Sequence, residues 1–256
     1  MNPPPEGDNT VNPTPLNPGP LPGADWAGKL GGRFMVFDGP DGSGKSTQFR
    51  RIVRLAESAG VRVCEVREPG GTHIGEEIRK VLLDAQHEEE APIDLRCEML
   101  LFMASRAQLI AQRVRPALER GELVLADRFI SSTLAYQGAG GGLPVDEIIA
   151  AGKVALQECW PDLVVVFDVD SATARARMNP LLRGQEFDTD QDRMESKGDA
   201  FHRKVRQGYL DQAAGDPDHY LVVDARGEED GVYDQLCEGL AQRVAGFPGK
   251  SGASDE

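Results

Sequence analysis

Gly39-Pro40-Asp41-Gly42-Ser43-Gly44-Lys45-Ser46 is the stretch that most narrows what this chain can fold into. It has the form G-x-x-x-x-G-K-[ST], and the apolar run Phe34-Met35-Val36-Phe37 leads directly into it. Glycines at this spacing let backbone N–H groups turn inward around a polyphosphate. Lys45 can then reach the β- and γ-phosphates, and the Ser46 hydroxyl can ligate Mg²⁺. The stretch from Ser46 to Ala59 reads as a helix. Its positive N-terminal end would face the same phosphates. Gly39 to Thr47 are therefore the expected binding segment for a nucleoside triphosphate.

A loop of this kind needs a strand before it and a helix after it, and the rest of the chain repeats that alternation. Strand-like runs are expected at Arg33–Asp38, Val61–Val66, Leu123–Asp127, Leu163–Asp168 and Tyr220–Val223. Their near-continuous apolar character suits strands covered on both faces. Helical patterns lie between them, notably Ile93 to Arg120 and Val145 to Glu158. The expected fold is α/β: a parallel five-stranded sheet flanked by helices, with ligands at the carboxyl ends of the strands. No internal repeat or second domain is evident.

Both ends depart from this pattern. Residues 1–30 hold eight prolines by Pro22 and no lysine or arginine before Lys29, so they lack the basic start and apolar core of a signal peptide. They are expected to form a disordered tail, removable as far as Gly28 with little effect on melting or turnover. Residues 31–245 form the expected domain, and 246–256 a flexible C-terminal tail. The net charge of −14 argues against a nucleic-acid polymer or an anionic membrane as partner. Cys64, Cys97, Cys159 and Cys237 are far apart and form no C-x-x-C pair, as in a reducing, cytoplasmic compartment. The four histidines lack metal-ligand spacing, and no apolar stretch approaches the length of a membrane span.

Asp127-Arg128 begins where an apolar strand stops, at the ligand-binding edge of the sheet. A carboxylate there can hold Mg²⁺ through its water shell, and a guanidinium can clamp a phosphate. Phe102 and Arg106 are four apart and share a helix face. A ring beside a planar fork of donors suits a nucleobase. Ser131 to Gly138 adds hydroxyls, an aromatic ring and an amide shortly after Arg128.

With these segments the chain resembles the bacterial thymidylate kinases. The matching stretches are FDGPDGSGKST, REPGGT, GEEIRKVLL, LFMASR, DRFISSTLAYQG, PDLVVVFDV and DRMES, in the family's order, from about Arg33 to Ala245. The resemblance implies the P-loop fold of nucleoside monophosphate kinases with a lid, here about residues 178–197. It implies ATP as co-substrate with Mg²⁺, dTMP as acceptor, dTDP as product for dTTP synthesis, and a homodimer. It also implies roles: Phe102 stacks on thymine, Arg106 donates to its O4, Thr133 and Gln137 approach the base, and Tyr136 the deoxyribose. Arg79 and Arg128 grip the dTMP phosphate, and Asp41 and Glu68 lie near the sugar and the transfer centre. Lys45, Ser46 and Asp127 serve ATP and its magnesium.

The chain departs from the family pattern in the lid. Met178 to Gln191 intervenes before Asp192-Arg193-Met194-Glu195, a longer connection than usual. Gly42 stands in the phosphate loop where an arginine could have supplied charge, so Arg183 or Arg193, or both, are expected to supply it. Two other readings remain at this level: a kinase for another deoxynucleotide or deoxynucleoside, and a nucleotide-dependent switch without phosphoryl transfer. Arg79, Arg106 and Arg128 weigh against the switch, which needs no monophosphate pocket.

Overall fold

The computed structural model describes residues 25–84, 92–178 and 197–247. Five parallel strands form one sheet in the order β2-β3-β1-β4-β5: β1 Phe34–Asp38, β2 Val63–Arg67, β3 Leu123–Asp127, β4 Leu163–Asp168 and β5 Tyr220–Asp224. Helices α1 Lys45–Ser58, α2 His73–Leu83, α3 Leu95–Leu109, α4 Arg115–Glu119, α5 Ile130–Thr133, α6 Val145–Leu156, α7 Ser171–Met178, α8 Asp199–Gly215 and α9 Glu229–Gly246 cover it.

Side-chain alternation on the central strands explains the two-sided cover. Phe34, Val36, Val124, Ala126, Val164 and Val166 enter one core, with Met99, Met103 and Tyr209 from the helices. Met35, Phe37, Leu123, Leu125, Leu163, Val165 and Phe167 enter the other, with Ile52, Leu236 and Leu240. Both sets are buried, as a sheet with helices on each face requires. Each fully buried large side chain contributes roughly 1.5–3 kcal/mol.

The expected domain limits shift outward at both ends. Asp25–Leu30 is a 3₁₀ helix, and its Ala27 and Leu30 are fully buried in the second core with Trp26 packed alongside. The folded part therefore begins by Asp25, because the first apolar side chains after the prolines find a core. At the other end α9 runs through Gly246, and the Phe247 ring lies 4.6 Å from the Arg33 guanidinium carbon. Deletion through Gly28 would remove Trp26 and Ala27 from that packing, so it should not be silent. Leu30→Ala tests the same packing and should cost ~2–5 kcal/mol in urea unfolding. A change under ~0.5 kcal/mol would mean that the segment contributes nothing to the core.

The single helix expected from Ile93 to Arg120 is interrupted. Asp94 caps α3 by accepting from the backbone N–H groups of Arg96 and Cys97, and the helix continues to Leu109. A π-helical turn, Ile110–Val114, then joins it to α4, which has Pro116 in its first turn. Proline has no N–H for the carbonyl four residues back, and its ring crowds that carbonyl. The wider turn absorbs the mismatch.

Candidate active site

Parallel register brings the chemistry to one edge. Phe37 and Arg67 both pair with Asp127, so β1, β2 and β3 end together, and the phosphate loop and the Arg67–Thr72 turn leave from neighbouring points. β1 lies between β3 and β4, where the chain changes direction across the sheet, the position at which open α/β sheets bind ligands.

The phosphate loop has the expected form. Gly39 has φ 132°, and a Cβ there would sit 2.6 Å from the Phe167 carbonyl oxygen. Gly44 has φ 88° and opens α1, leaving the helix N-terminus without a side-chain cap. That end is available to an anion. Lys45 is buried and folds over the loop, its Nζ donating to the carbonyls of Gly39 and Pro40, each at 3.0 Å. The buried Ser43 Oγ has no partner among the described residues.

Asp41 bridges the loop to Arg128. Its Oδ1 lies 2.6 Å from Arg128 Nη2 and 3.5 Å from Lys45 Nζ. Burial works to raise its pKa, but Arg128 and then Lys45 outweigh it and hold the carboxyl well below the usual range. Burial, followed by the nearby Arg128, lowers the Lys45 pKa. Arg128 itself has φ 68°, an uncommon backbone state for a side-chain-bearing residue and one that recurs at functional sites. Its Nη1 donates to Ser132 Oγ at 3.0 Å and Tyr209 OH at 3.2 Å.

Behind that arginine sits Asp38, which the sequence reading left unassigned. It is fully buried at the end of β1 and accepts from Tyr209 OH at 2.6 Å, Ser131 Oγ at 2.6 Å and Ser132 Oγ at 2.7 Å. The signal was present: an aspartate that ends an apolar strand one residue before the loop must be satisfied by something. The partner on α8, Tyr209, was not legible, because 171 residues separate it from Asp38.

The opposite wall carries the ring and guanidinium expected to take a base. Phe102 lines the cavity, and one turn on Arg106 is only 1 % exposed. Its Nε donates to Glu68 Oε2 at 2.8 Å and its Nη2 to Thr133 Oγ1 at 3.1 Å, with the Phe129 ring 5.0 Å behind. Thr133 ends α5, and Tyr136 and Gln137 follow in a π-helical turn, Leu134–Gly140, a form frequent at functional sites. Tyr136 packs beside Arg128, whose guanidinium carbon is 5.3 Å from the ring centre. Arg79 donates to the Pro69 carbonyl at 3.0 Å from α2 and reaches the same cavity.

Lys45, Ser46, Asp41, Glu68, Arg79, Phe102, Arg106, Asp127, Arg128, Thr133, Tyr136 and Gln137 thus share one cavity. The expected residues Arg183 and Arg193, with most of the 178–197 segment, lie outside the described residues. Glu68, expected near the sugar and the transfer centre, is paired with Arg106.

Burial pushes the Glu68 pKa up to about 7, with Arg106 opposing the rise, and Oε1 has no partner among the described residues. Because the folded state raises this pKa, the protonated acid contributes stability that is lost as pH climbs from about 4.5 to about 7. Melting temperatures of wild type and Glu68→Gln across that window should therefore diverge, the wild type declining more steeply. Parallel curves would show that Glu68 does not titrate there.

Ser46 and Asp127 line the cavity together and offer a hydroxyl and a carboxylate. Hard oxygen donors of this kind fit Mg²⁺, which commonly takes one or two protein oxygens and completes its shell with water and phosphate.

Residues 37–236 match the family model described as thymidylate kinase. The chain belongs to the thymidylate kinase family. It is 45 % identical to the thymidylate kinase of Desulforudis audaxviator, over 78 % of this chain and 86 % of that one. Against the thymidylate kinase of Deinococcus radiodurans identity is 42 %, over 83 % of this chain and 98 % of the relative. The crystal structure of thymidylate kinase from Ehrlichia chaffeensis superposes with a TM-score of 0.63 at 28 % identity, covering 81 % of this chain and 98 % of that one.

Proposed function

We propose, from the family and the cavity together, that the protein transfers the γ-phosphoryl group of ATP to dTMP, giving dTDP and ADP. The observation that carries this reading is the cavity itself, with a phosphate loop at one end, a ring-and-guanidinium wall at the other, and Asp41–Arg128 between.

A phosphate oxygen of dTMP forms the new bond to the γ-phosphorus while the bond to the β,γ-bridging oxygen breaks, and ADP leaves with that oxygen's electrons. No serine or histidine nucleophile is required, so the protein's work is alignment and neutralisation of charge. Lys45 serves the ATP phosphates, while Arg128 and Arg79 hold the dTMP phosphate. Mg²⁺, held through Ser46 and Asp127, would neutralise phosphate charge. Phe102 and Arg106 take the base, with Thr133 and Gln137 beside it and Tyr136 against the sugar. Arg183 and Arg193 remain the proposed further sources of charge. Arg193→Ala is expected to lower kcat at least about tenfold with a modest change in KM for dTMP, as for a contact made at the transition state. An unchanged kcat in the Arg183→Ala/Arg193→Ala double variant would remove that assignment.

We further propose a cytoplasmic homodimer. No described helix is long and apolar enough to cross a membrane. Ile74 and Val81 on α2 and Leu100 on the adjoining α3 are more than a third exposed, as an interface between copies would need. Light scattering on the purified protein should give twice the chain mass, and a monomer at micromolar concentration would contradict it. Chromatographic identification of dTDP from ATP and dTMP is the direct test of the activity.

A further inference from the structure

Glu98 is 1 % exposed and lies on α3. Its Oε1 accepts from Gln137 Nε2 at 2.7 Å, and Gln137 is itself 1 % exposed and lines the cavity. Glu98, Phe102 and Arg106 follow at i, i+4 and i+8, one stripe along the helix. Neither sequence motif nor family resemblance gave Glu98 a role.

We propose that Glu98 is a positioning residue that sets which end of the Gln137 amide faces the base, and so helps to select an imide edge over an amidine edge. A carboxylate can only accept hydrogen bonds, so the amide must turn its NH₂ toward Glu98 and its carbonyl away. Gln137 Oε1 accepts no hydrogen bond among the described residues, which leaves an acceptor on a residue of the cavity wall. Arg106 can only donate, and its Nε and one Nη2 proton are held by Glu68, with Thr133 accepting from Nη2. Nη1 donates one proton to Met103 Sδ at 3.2 Å, which leaves its second proton to serve the cavity. A donor beside an acceptor complements the C4 carbonyl and N3–H of thymine. Cytosine presents the reverse, an amino group and an unprotonated N3. A mobile amide could turn to suit either base; one fixed by Glu98 cannot.

The inference rests on dTMP as the acceptor. Its test is the ratio of kcat/KM for dTMP to that for dCMP. In Glu98→Gln the neighbour can donate or accept, the lock is lost, and the ratio should fall at least about tenfold. The loss should appear mainly as a higher KM for dTMP, since the reacting atoms are untouched. The exchanged pair Glu98→Gln/Gln137→Glu again places an acceptor toward the base and should recover most of the ratio. A ratio within about twofold of wild type in Glu98→Gln, or an equal loss on both substrates, would overturn the proposal. An observation independent of any variant's folding is the exchange of the Gln137 side-chain amide protons in selectively ¹⁵N-labelled wild type. Slow exchange is expected, and exchange at the rate of a free amide would refute the lock. If wild type phosphorylates no dTMP at all, the reading of the acceptor fails instead.

Discussion

Lys45→Ala should leave a folded protein that has lost at least about 10²–10³-fold of its turnover, the range for removal of one preorganised charge-stabilising donor. Lys45 is the buried cation of the loop and the proposed partner of the ATP phosphates, and its two carbonyl contacts are local to that loop. Its removal releases no distant element, although the nearby Asp41 keeps Arg128 as a closer partner. Steady-state ADP release, with circular dichroism to confirm folding, checks the prediction. A folded variant within tenfold of wild type would show that the loop lysine does not serve the transfer.

Arg128→Ala should be more damaging still, because it acts on two properties at once. The side chain is the proposed dTMP phosphate clamp, so kcat/KM for dTMP should fall by about 10³-fold or more. It is also the cation beside Asp38 and Asp41, and breaking a buried pair by removing one partner costs ~3–5 kcal/mol. Partial exposure of Arg128 puts the expected stability loss at the lower end of that range. Arg128→Lys should recover part of the stability but little of the catalytic efficiency. A single ammonium cannot reach Asp41, Ser132 and Tyr209 in the fixed directions of a guanidinium fork. Unfolding titrations and dTMP kinetics on both variants decide the matter; an Arg128→Lys enzyme with wild-type kcat/KM would argue for simple point charge.

The fold and the site were legible in the sequence to different depths. The strands announced themselves because five short apolar runs alternate with helical patterns, and β3 and β4 have the boundaries the runs suggest. The ends were less legible: proline crowding hid that Ala27 and Leu30 belong to a core built largely from residues far away in sequence. The loop residues Gly39 to Thr47 form a contiguous motif, so local reading sufficed. Arg106 is legible from its spacing to Phe102 and Arg128 from its place at a strand end, but their partners are not, because a hydrogen bond across 38 or 87 residues leaves no periodic trace. Asp38 and Glu98 did leave one. Each is a carboxylate at a position otherwise demanding an apolar side chain, and burial of such a group needs a donor. Glu98 also continues the four-residue stripe of Phe102 and Arg106. Carboxylates that break an apolar pattern beside a recognised motif are therefore worth following even when no motif names them.

The measurement that reaches the central claim most directly is ADP release from ATP with dTMP, dUMP, dCMP or thymidine as the only acceptor. The account predicts fast release with dTMP and slower release with dUMP, which lacks the 5-methyl group. It predicts very little with dCMP, whose amino group would face the donors of Arg106. It predicts almost none with thymidine, which offers no phosphate to Arg79 and Arg128. Equal efficiency on dCMP and dTMP, or release independent of any acceptor, would contradict it.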